Sequence, residues 1–272
     1  MCVSHNSRHE FHGDLMTQPF RRLMKAGEIL IGTVVTLSAP QVPEILAQSG
    51  FDWLFVDGEH SPLSSSDIEG IVRSAGLCPC LVRIRDQSEA SIKSALDSGA
   101  AGIIAPFVNT AEQAKRIVTL CRYPPEGCRS VGVSRANGYG MQFQDYLRRA
   151  NSETSVIALV EHVDAVKNIE SIVRVAGIDA VFVGPYDLSA SLGKPGEVND
   201  PAVQSCIERV RRAVSDAGIH IGIFGMTPDA LEGLTAQGFT LLTVGVDTVF
   251  LGIAAKTAFD RLKRIPAVLA GG

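Results

Sequence analysis

The sequence predicts an α/β protein folded as a closed (β/α)8 barrel of the TIM type, and three observations carry that expectation. From about residue 29 onward, short β-branched apolar runs alternate with amphipathic stretches that open at Ser, Thr, Asp, Asn or Pro and stop at Gly. The runs are hydrophobic almost throughout, as strands of a parallel sheet covered on both faces must be. Eight of them fit into the roughly 240 residues that follow, the number a barrel needs and more than a doubly wound sheet usually uses.

In chain order the strands are expected at 29–35, 53–57, 80–84, 102–106, 155–161, 180–183, 219–224 and 241–244. An open dinucleotide-binding sheet would carry a glycine-rich phosphate turn after its first strand, whereas Gly32 lies inside the first run. Helices are expected at 42–48, 67–74 and 89–97, closed by Gly50, Gly76 and Gly99. One stretch, 122–150, breaks the alternation with Pro124, Pro125 and several glycines. A connection that long in a compact domain is usually functional, as a lid, a subunit contact or an active-site wall. Residues 1–19 carry His5, His9 and His12 but no continuous apolar core, so they read as a solvated leader and not as a secretory signal. Residues 20–272 are expected to form a single domain.

Composition narrows the function. Hydrophobic residues at 46% and charged residues at 20% are ordinary for a globular chain and exclude a disordered or fibrous one. A net charge of −4 leaves no basic excess for a phosphate backbone, so nucleic acid is not an expected partner. Uncharged stretches are too short and too interrupted for a membrane span. The six cysteines form no Cys-x-x-Cys pair, which fits a reduced, cytoplasmic protein.

In barrels of this kind chemistry is done at the carboxyl ends of the strands. The polar residues expected there are Asp57, Glu59 and His60 after the second strand, Arg83 and Arg85 on the third, Glu161 and His162 on the fifth, and Asp187 after the sixth. Glu161 and Asp187 are hard oxygen donors on adjacent strands, a pattern that holds Mg²⁺ or Mn²⁺; equally, each has an ordinary reading, as an arginine partner and a turn cap. Arg83 is either a clamp for an anionic substrate or the partner of Asp57 or Glu59. His60, flanked by Asp57 and Glu59, is favoured as acid/base over His162, which strand alternation turns away. The seven lysines fall on expected helices or loops, which disfavours a Schiff-base aldolase and leaves a metal as the electrophile. No Gly-x-Ser-x-Gly elbow or His-Glu-x-x-His helix is present.

Several segments, in order and spacing, carry a likeness: Phe51-Asp52-Trp53 leading to Asp57-Gly58-Glu59-His60, Val82-Arg83, Leu96-Asp97-Ser98-Gly99, the Tyr123–Arg129 run, Gly184-Pro185-Tyr186-Asp187-Leu188-Ser189, and Val244-Gly245-Val246-Asp247. Over about residues 20–262 the chain resembles the HpcH/HpaI class II pyruvate aldolases. The resemblance implies a carbon–carbon lyase dependent on Mg²⁺, Mn²⁺ or Co²⁺ that reversibly cleaves a 4-hydroxy-2-oxo acid to pyruvate and an aldehyde. It further implies His60 as general base, Arg83 as stabiliser of charge on the pyruvyl oxygen, and Asp97 as a carboxylate that increases the histidine's basicity. Glu161 and Asp187 would be metal ligands, the amides of Tyr186 and Asp187, next to Gly184 and Pro185, would receive the pyruvate carboxylate, and the assembly would be a homo-oligomer, a hexamer by that likeness. Leu159 stands where the family commonly has glutamine, and Tyr186 where smaller residues are common; both departures bear on the substrate. Two rivals remain: a lyase for CoA thioesters, whose nucleotide would need a basic groove near Arg209–Arg212, and a non-catalytic barrel that binds a small anion. The apolar C-terminal stretch around 249–259 would either pack on the barrel or join subunits.

Overall fold

The structure, a computed structural model, describes residues 19–264. Eight parallel strands pair in sequence order and close with β1 against β8, which is the expected (β/α)8 barrel. The strands are β1 (Leu30–Val35), β2 (Trp53–Asp57), β3 (Cys80–Arg83), β4 (Gly102–Ala105), β5 (Ser155–Val160), β6 (Ala180–Val183), β7 (His220–Gly225) and β8 (Leu241–Val246). The helices are α1 (Phe20–Lys25), α2 (Gln41–Gln48), α3 (Ser65–Ser74), α4 (Glu89–Asp97), α5 (Ala111–Cys121), α6 (Phe143–Glu153), α7 (Val163–Lys167), α8 (Ile169–Ile172), α9 (Pro185–Ser191), α10 (Pro201–Ala217) and α11 (Asp247–Lys263). Expected strand ends lie within two residues of these. Helix α3 starts at Ser65 because Ser64 and Asp67 cap each other's backbone amides reciprocally. Most of the expected leader, 1–18, lies outside the described residues.

Strand alternation sorts the apolar side chains into two sets. One set, including Leu54, Val56, Val82, Ile103 and Val181, faces the helices; the other, including Trp53, Phe55, Ile104, Ile157 and Phe182, fills the barrel interior. Helix α1 closes the amino-terminal end with buried Phe20, Leu23 and Met24, the Phe20 ring 5.6 Å from that of Trp53. Gly32 is explained here: a side chain at that point of β1 would begin 2.5 Å from the Trp53 indole. The glycine makes room for the largest interior ring and has nothing to do with phosphate.

Two expectations are corrected or sharpened. The 122–150 connection contains a helix, α6, and runs under the amino-terminal end of the barrel, where Arg135 donates to the Ser98 carbonyl at 2.7 Å. It is therefore neither lid nor wall for the carboxyl-end mouth of its own barrel. Helix α11 packs on the barrel only through its first turn, where Asp247 is buried and the Phe250 ring stacks on that of Phe51 at 6.5 Å; beyond it Leu251, Ile253, Phe259 and Leu262 are all exposed. Ile31 on the outer face of β1 is exposed as well. Asp247 anchors the start of α11 by accepting from the Thr36 and Leu37 amides and from the Thr36 hydroxyl at 2.6 Å. No helix among the described residues is long and apolar enough to cross a membrane.

Candidate active site

Register positions the first pair. Asp57 ends β2 directly beside Arg83 on β3, and the guanidinium meets the carboxylate through two bonds, Nε to Oδ1 at 3.0 Å and Nη2 to Oδ2 at 2.7 Å. Asp57 also turns the following loop by accepting from the Glu59 and His60 amides at 3.0 and 3.1 Å. Burial alone would raise the Asp57 pKa, but the hydrogen bond and charge of Arg83, with those two amides, hold it below the ordinary range. Arg83 also lies over the Phe55 ring, 5.4 Å from its centre. The salt bridge expected as the plain alternative therefore exists. It occupies two of five guanidinium N–H groups and sets the plane in which the rest are offered.

Glu59, expected as an alternative partner of Arg83 and a neighbour of His60, comes between the two. Its Oε2 is 3.4 Å from Arg83 Nη1 and 3.7 Å from His60 Nε2, and that oxygen is buried without a hydrogen-bond partner. Burial raises the Glu59 pKa, opposed by the charges of Arg83 and His60 and reinforced by Asp57 and Asp187. The His60 ring stands exposed at the rim.

Glu161 follows β5 and is buried at 1% exposure. Its Oε1 accepts from the Phe107 amide at 2.7 Å, while Oε2 is buried and unpartnered. Burial pushes its pKa up to about 8; the Phe107 amide opposes this, and the nearby charges of Glu59 and Asp187 add to it. Gly184 keeps this carboxyl in place, since a side chain there would begin 3.1 Å from Glu161 Cβ. Asp187 lies in the first turn of α9, after Pro185 and Tyr186. Phe107 was not foreseen: its φ of 51° is left-handed, uncommon for a bulky residue, and the Gln87 amide group bonds the carbonyls of Pro106 and Phe107 at 2.7 and 3.0 Å.

Asp57, His60, Arg83, Glu161 and Asp187 line one cavity of about 230 Å³ at the carboxyl end of the barrel. Leu159 and Phe182 form part of its floor, with Tyr186 at its edge. A larger cavity of about 450 Å³ lies beneath the amino-terminal end, beside α1 and α6; that end of a barrel serves stability.

Three expected residues stand elsewhere. Asp97 ends α4, which runs back toward the amino-terminal end, and its carboxylate accepts from Arg129 at 2.7 Å. Arg129 in turn lies between the rings of Tyr123 and Tyr146. The contact with His60 that the resemblance implied for Asp97 is not made within the chain, because the helix carries the residue to the opposite pole. His162 caps α7, its Nδ1 accepting from the Asp164 amide at 3.1 Å. Arg85 donates to the Leu63 carbonyl at 3.0 Å.

The donor set suits a hard divalent cation. Three carboxylates, Asp57, Glu59 and Glu161, act on the Arg83 guanidinium, Asp187 acts on Glu59 and Glu161, and one buried oxygen of Glu161 has no partner. No cluster of three or more metal-binding side chains occurs among the described residues. Two carboxylates with water and substrate completing the shell is the common arrangement for Mg²⁺. The Arg209–Arg212 cluster forms no basic groove: Arg209 pairs with Glu170, and both Arg211 and Arg212 pair with Glu208.

A (β/α)8 barrel whose carboxyl-end cavity collects acids, an arginine and a histidine has its ionisable groups where barrel enzymes do their chemistry. The HpcH/HpaI aldolase/citrate lyase family matches residues 31–252, and the chain belongs to that family. It is a carbon–carbon lyase. It is 38% identical over 239 residues to a 2-keto-3-deoxy-L-rhamnonate aldolase of Escherichia coli O17:K52:H18, covering 86% of this chain and 89% of the relative. Among solved structures it is similar to an HpcH/HpaI aldolase/citrate lyase family protein from Burkholderia cenocepacia J2315 (34% identity, TM-score 0.86, 89% of this chain and 98% of the other). It is also similar to an HpcH/HpaI aldolase from Desulfitobacterium hafniense DCB-2 (31% identity, TM-score 0.85, 92% and 98%).

Proposed function

We propose that the chain catalyses the reversible aldol cleavage of a 4-hydroxy-2-oxo acid to pyruvate and an aldehyde, with a divalent cation, Mg²⁺, Mn²⁺ or Co²⁺, held by Glu161 and Asp187. The observation that supports this most directly is the buried, unpartnered Glu161 oxygen in the cavity that Asp187 and the Asp57-bound Arg83 also line. The cation, when bound, supplies Lewis acidity toward the carboxylate and keto oxygens of the substrate.

Everything else is done by side chains and amides of this chain. The Tyr186 and Asp187 amides, in the first turn of α9, have no intrahelical acceptor and receive the substrate carboxylate. Arg83, oriented by Asp57, offers its remaining N–H groups to the 2-keto oxygen, where negative charge grows as the C3–C4 bond breaks. His60, at the rim, removes the proton from the C4 hydroxyl during cleavage and returns it in condensation. Glu59, facing His60 and Arg83, orients both. Phe55, Leu159 and Phe182 exclude water from beneath the reacting carbons. Asp97 takes no part in this scheme within its own barrel.

The test needs no knowledge of the aldehyde. With Mn²⁺ added, the protein is expected to exchange the methyl protons of pyruvate for deuterium, followed by NMR. A protein that only binds small anions leaves the methyl signal intact, and competition by free CoA marks the thioester alternative.

Exposed Leu251, Ile253, Phe259 and Leu262 on α11, together with exposed Ile31, support assembly through this helix, with a second copy covering the apolar surfaces. Light scattering after size exclusion is expected to show an oligomer, and Leu251→Glu with Ile253→Glu to reduce its mass. A wild-type monomer would refute this.

A further inference from the structure

We infer that the aldehyde half of the substrate is apolar, an alkyl or aryl aldehyde and not a polyhydroxylated sugar fragment. The inference rests on the aldolase reading above and adds to it the chemistry of the second reactant.

The cavity is divided. Its ionisable residues come from the ends of β2, β3, β5 and β6, and the proposed reaction commits all of them to the cation, the pyruvyl group and the C4 hydroxyl. The facing wall comes from the ends of β1, β7 and β8, and is made of Val34, Thr36, Phe224, Met226 and Val246. Thr36 carries the hydroxyl on that wall, and it donates its proton to Asp247 at 2.6 Å. Tyr186 completes the edge, its ring 6.1 Å from the Phe224 ring, and its side chain, 39% exposed, adds one phenol hydroxyl at the solvent margin of the wall.

An aldehyde extending from C4 away from the acids meets this wall. Hydroxyl groups along its carbons would exchange water for methyl, thioether and ring surface, a transfer that costs free energy unless hydrogen bonds replace those lost. Methylene or aryl groups at the same places gain from burial. Leu159 acts in the same direction, since it places a branched hydrocarbon on the floor two residues before Glu161. The wall thus selects against aldehydes that carry several hydroxyl groups along the chain.

The experiment is a condensation series with wild-type enzyme, Mn²⁺ and pyruvate, measuring kcat/KM for propanal, butanal, pentanal, benzaldehyde, lactaldehyde and glyceraldehyde. The value is expected to rise from propanal to pentanal, a series of nearly constant electrophilicity, and to exceed that for glyceraldehyde by about 10-fold or more, the discrimination one or two methylenes achieve in an apolar pocket. Met226 is partly exposed at 38%, so Met226→Gln is compatible with folding, and it is expected to move the pentanal-to-glyceraldehyde ratio toward one. A flat alkyl series, a preference for glyceraldehyde or lactaldehyde, or a ratio that Met226→Gln leaves unchanged would overturn the inference. Deuterium exchange into pyruvate without aldehyde separates the two levels: exchange with a polyol preference overturns this inference alone, and no exchange overturns it together with the aldolase reading.

Discussion

Glu161→Gln is expected to abolish aldol cleavage while leaving the metal-free protein as stable as the wild type or more so. The two outcomes have one cause. A carboxyl at 1% exposure, pushed up to about 8 by burial, is mostly protonated at neutral pH in the metal-free protein and ionises as pH rises toward 8 or when a cation displaces the proton. Its folded pKa lies above the unfolded value of 4.5, so the folded state binds the proton more tightly. That stabilising difference is complete below about pH 4.5 and is lost as pH rises toward 8, at about 1.4 kcal/mol per pKa unit. The metal-free wild type is therefore expected to lose stability across this window, and the neutral Gln variant to show a shallower decline in urea midpoints. Added Mn²⁺ should restore the wild type at pH 8 and leave the variant nearly unmoved, because a ligand stabilises only the state that binds it. Activity should follow the cation: dialysis against EDTA removes it, Mn²⁺ restores it in the wild type, and the variant falls by at least about 10³-fold, corresponding to several kcal/mol of lost Lewis-acid stabilisation. Retained activity after chelation, or a variant that binds Mn²⁺ as the wild type does, would contradict the assignment.

Arg83→Lys is the second large effect. Lysine keeps the charge but cannot reproduce the two-point contact with Asp57 or offer further N–H groups in the same plane. Turnover is expected to fall about 10²- to 10³-fold, the usual consequence of losing one donor to a developing oxyanion. Arg83→Ala should add a folding defect of about 3–5 kcal/mol, because Asp57 would remain as an unpaired buried charge. Comparing the two variants by kcat and by thermal midpoint separates the catalytic contribution from the structural one. A lysine variant within twofold of wild-type turnover would exclude the role given to Arg83.

The barrel itself was legible because its signals are local. Strands such as 53–57 and 180–183 are apolar on both faces, and that alternation with capped helices needs no knowledge of distant contacts. Residues at strand ends were legible for the same reason: once β2, β3 and β5 are placed, Asp57, Arg83 and Glu161 must emerge at one pole. Helix α6 was hidden because its sequence is polar, burying Ala150, and follows a stretch rich in glycine and proline. Asp97 shows the limit of motif reading. A helix nine residues long carries its last residue roughly 12 Å from its first, at 1.5 Å per residue, and so away from the mouth.

Fold class, strand order and the identity of the ionisable residues thus follow from the chain alone, since hydrophobic period, capping and parallel β–α succession are properties of neighbours in sequence. Pairing is a property of neighbours in space. Only the folded barrel decided that Arg83 engages Asp57, that Glu59 and not Asp97 faces His60, that a left-handed Phe107 presents its amide to Glu161, and that α11 beyond its first turn leaves its apolar side chains exposed. Each depends on where a side chain meets groups tens of residues away, where charge, burial and steric fit act over a few ångströms and sequence separation carries no force.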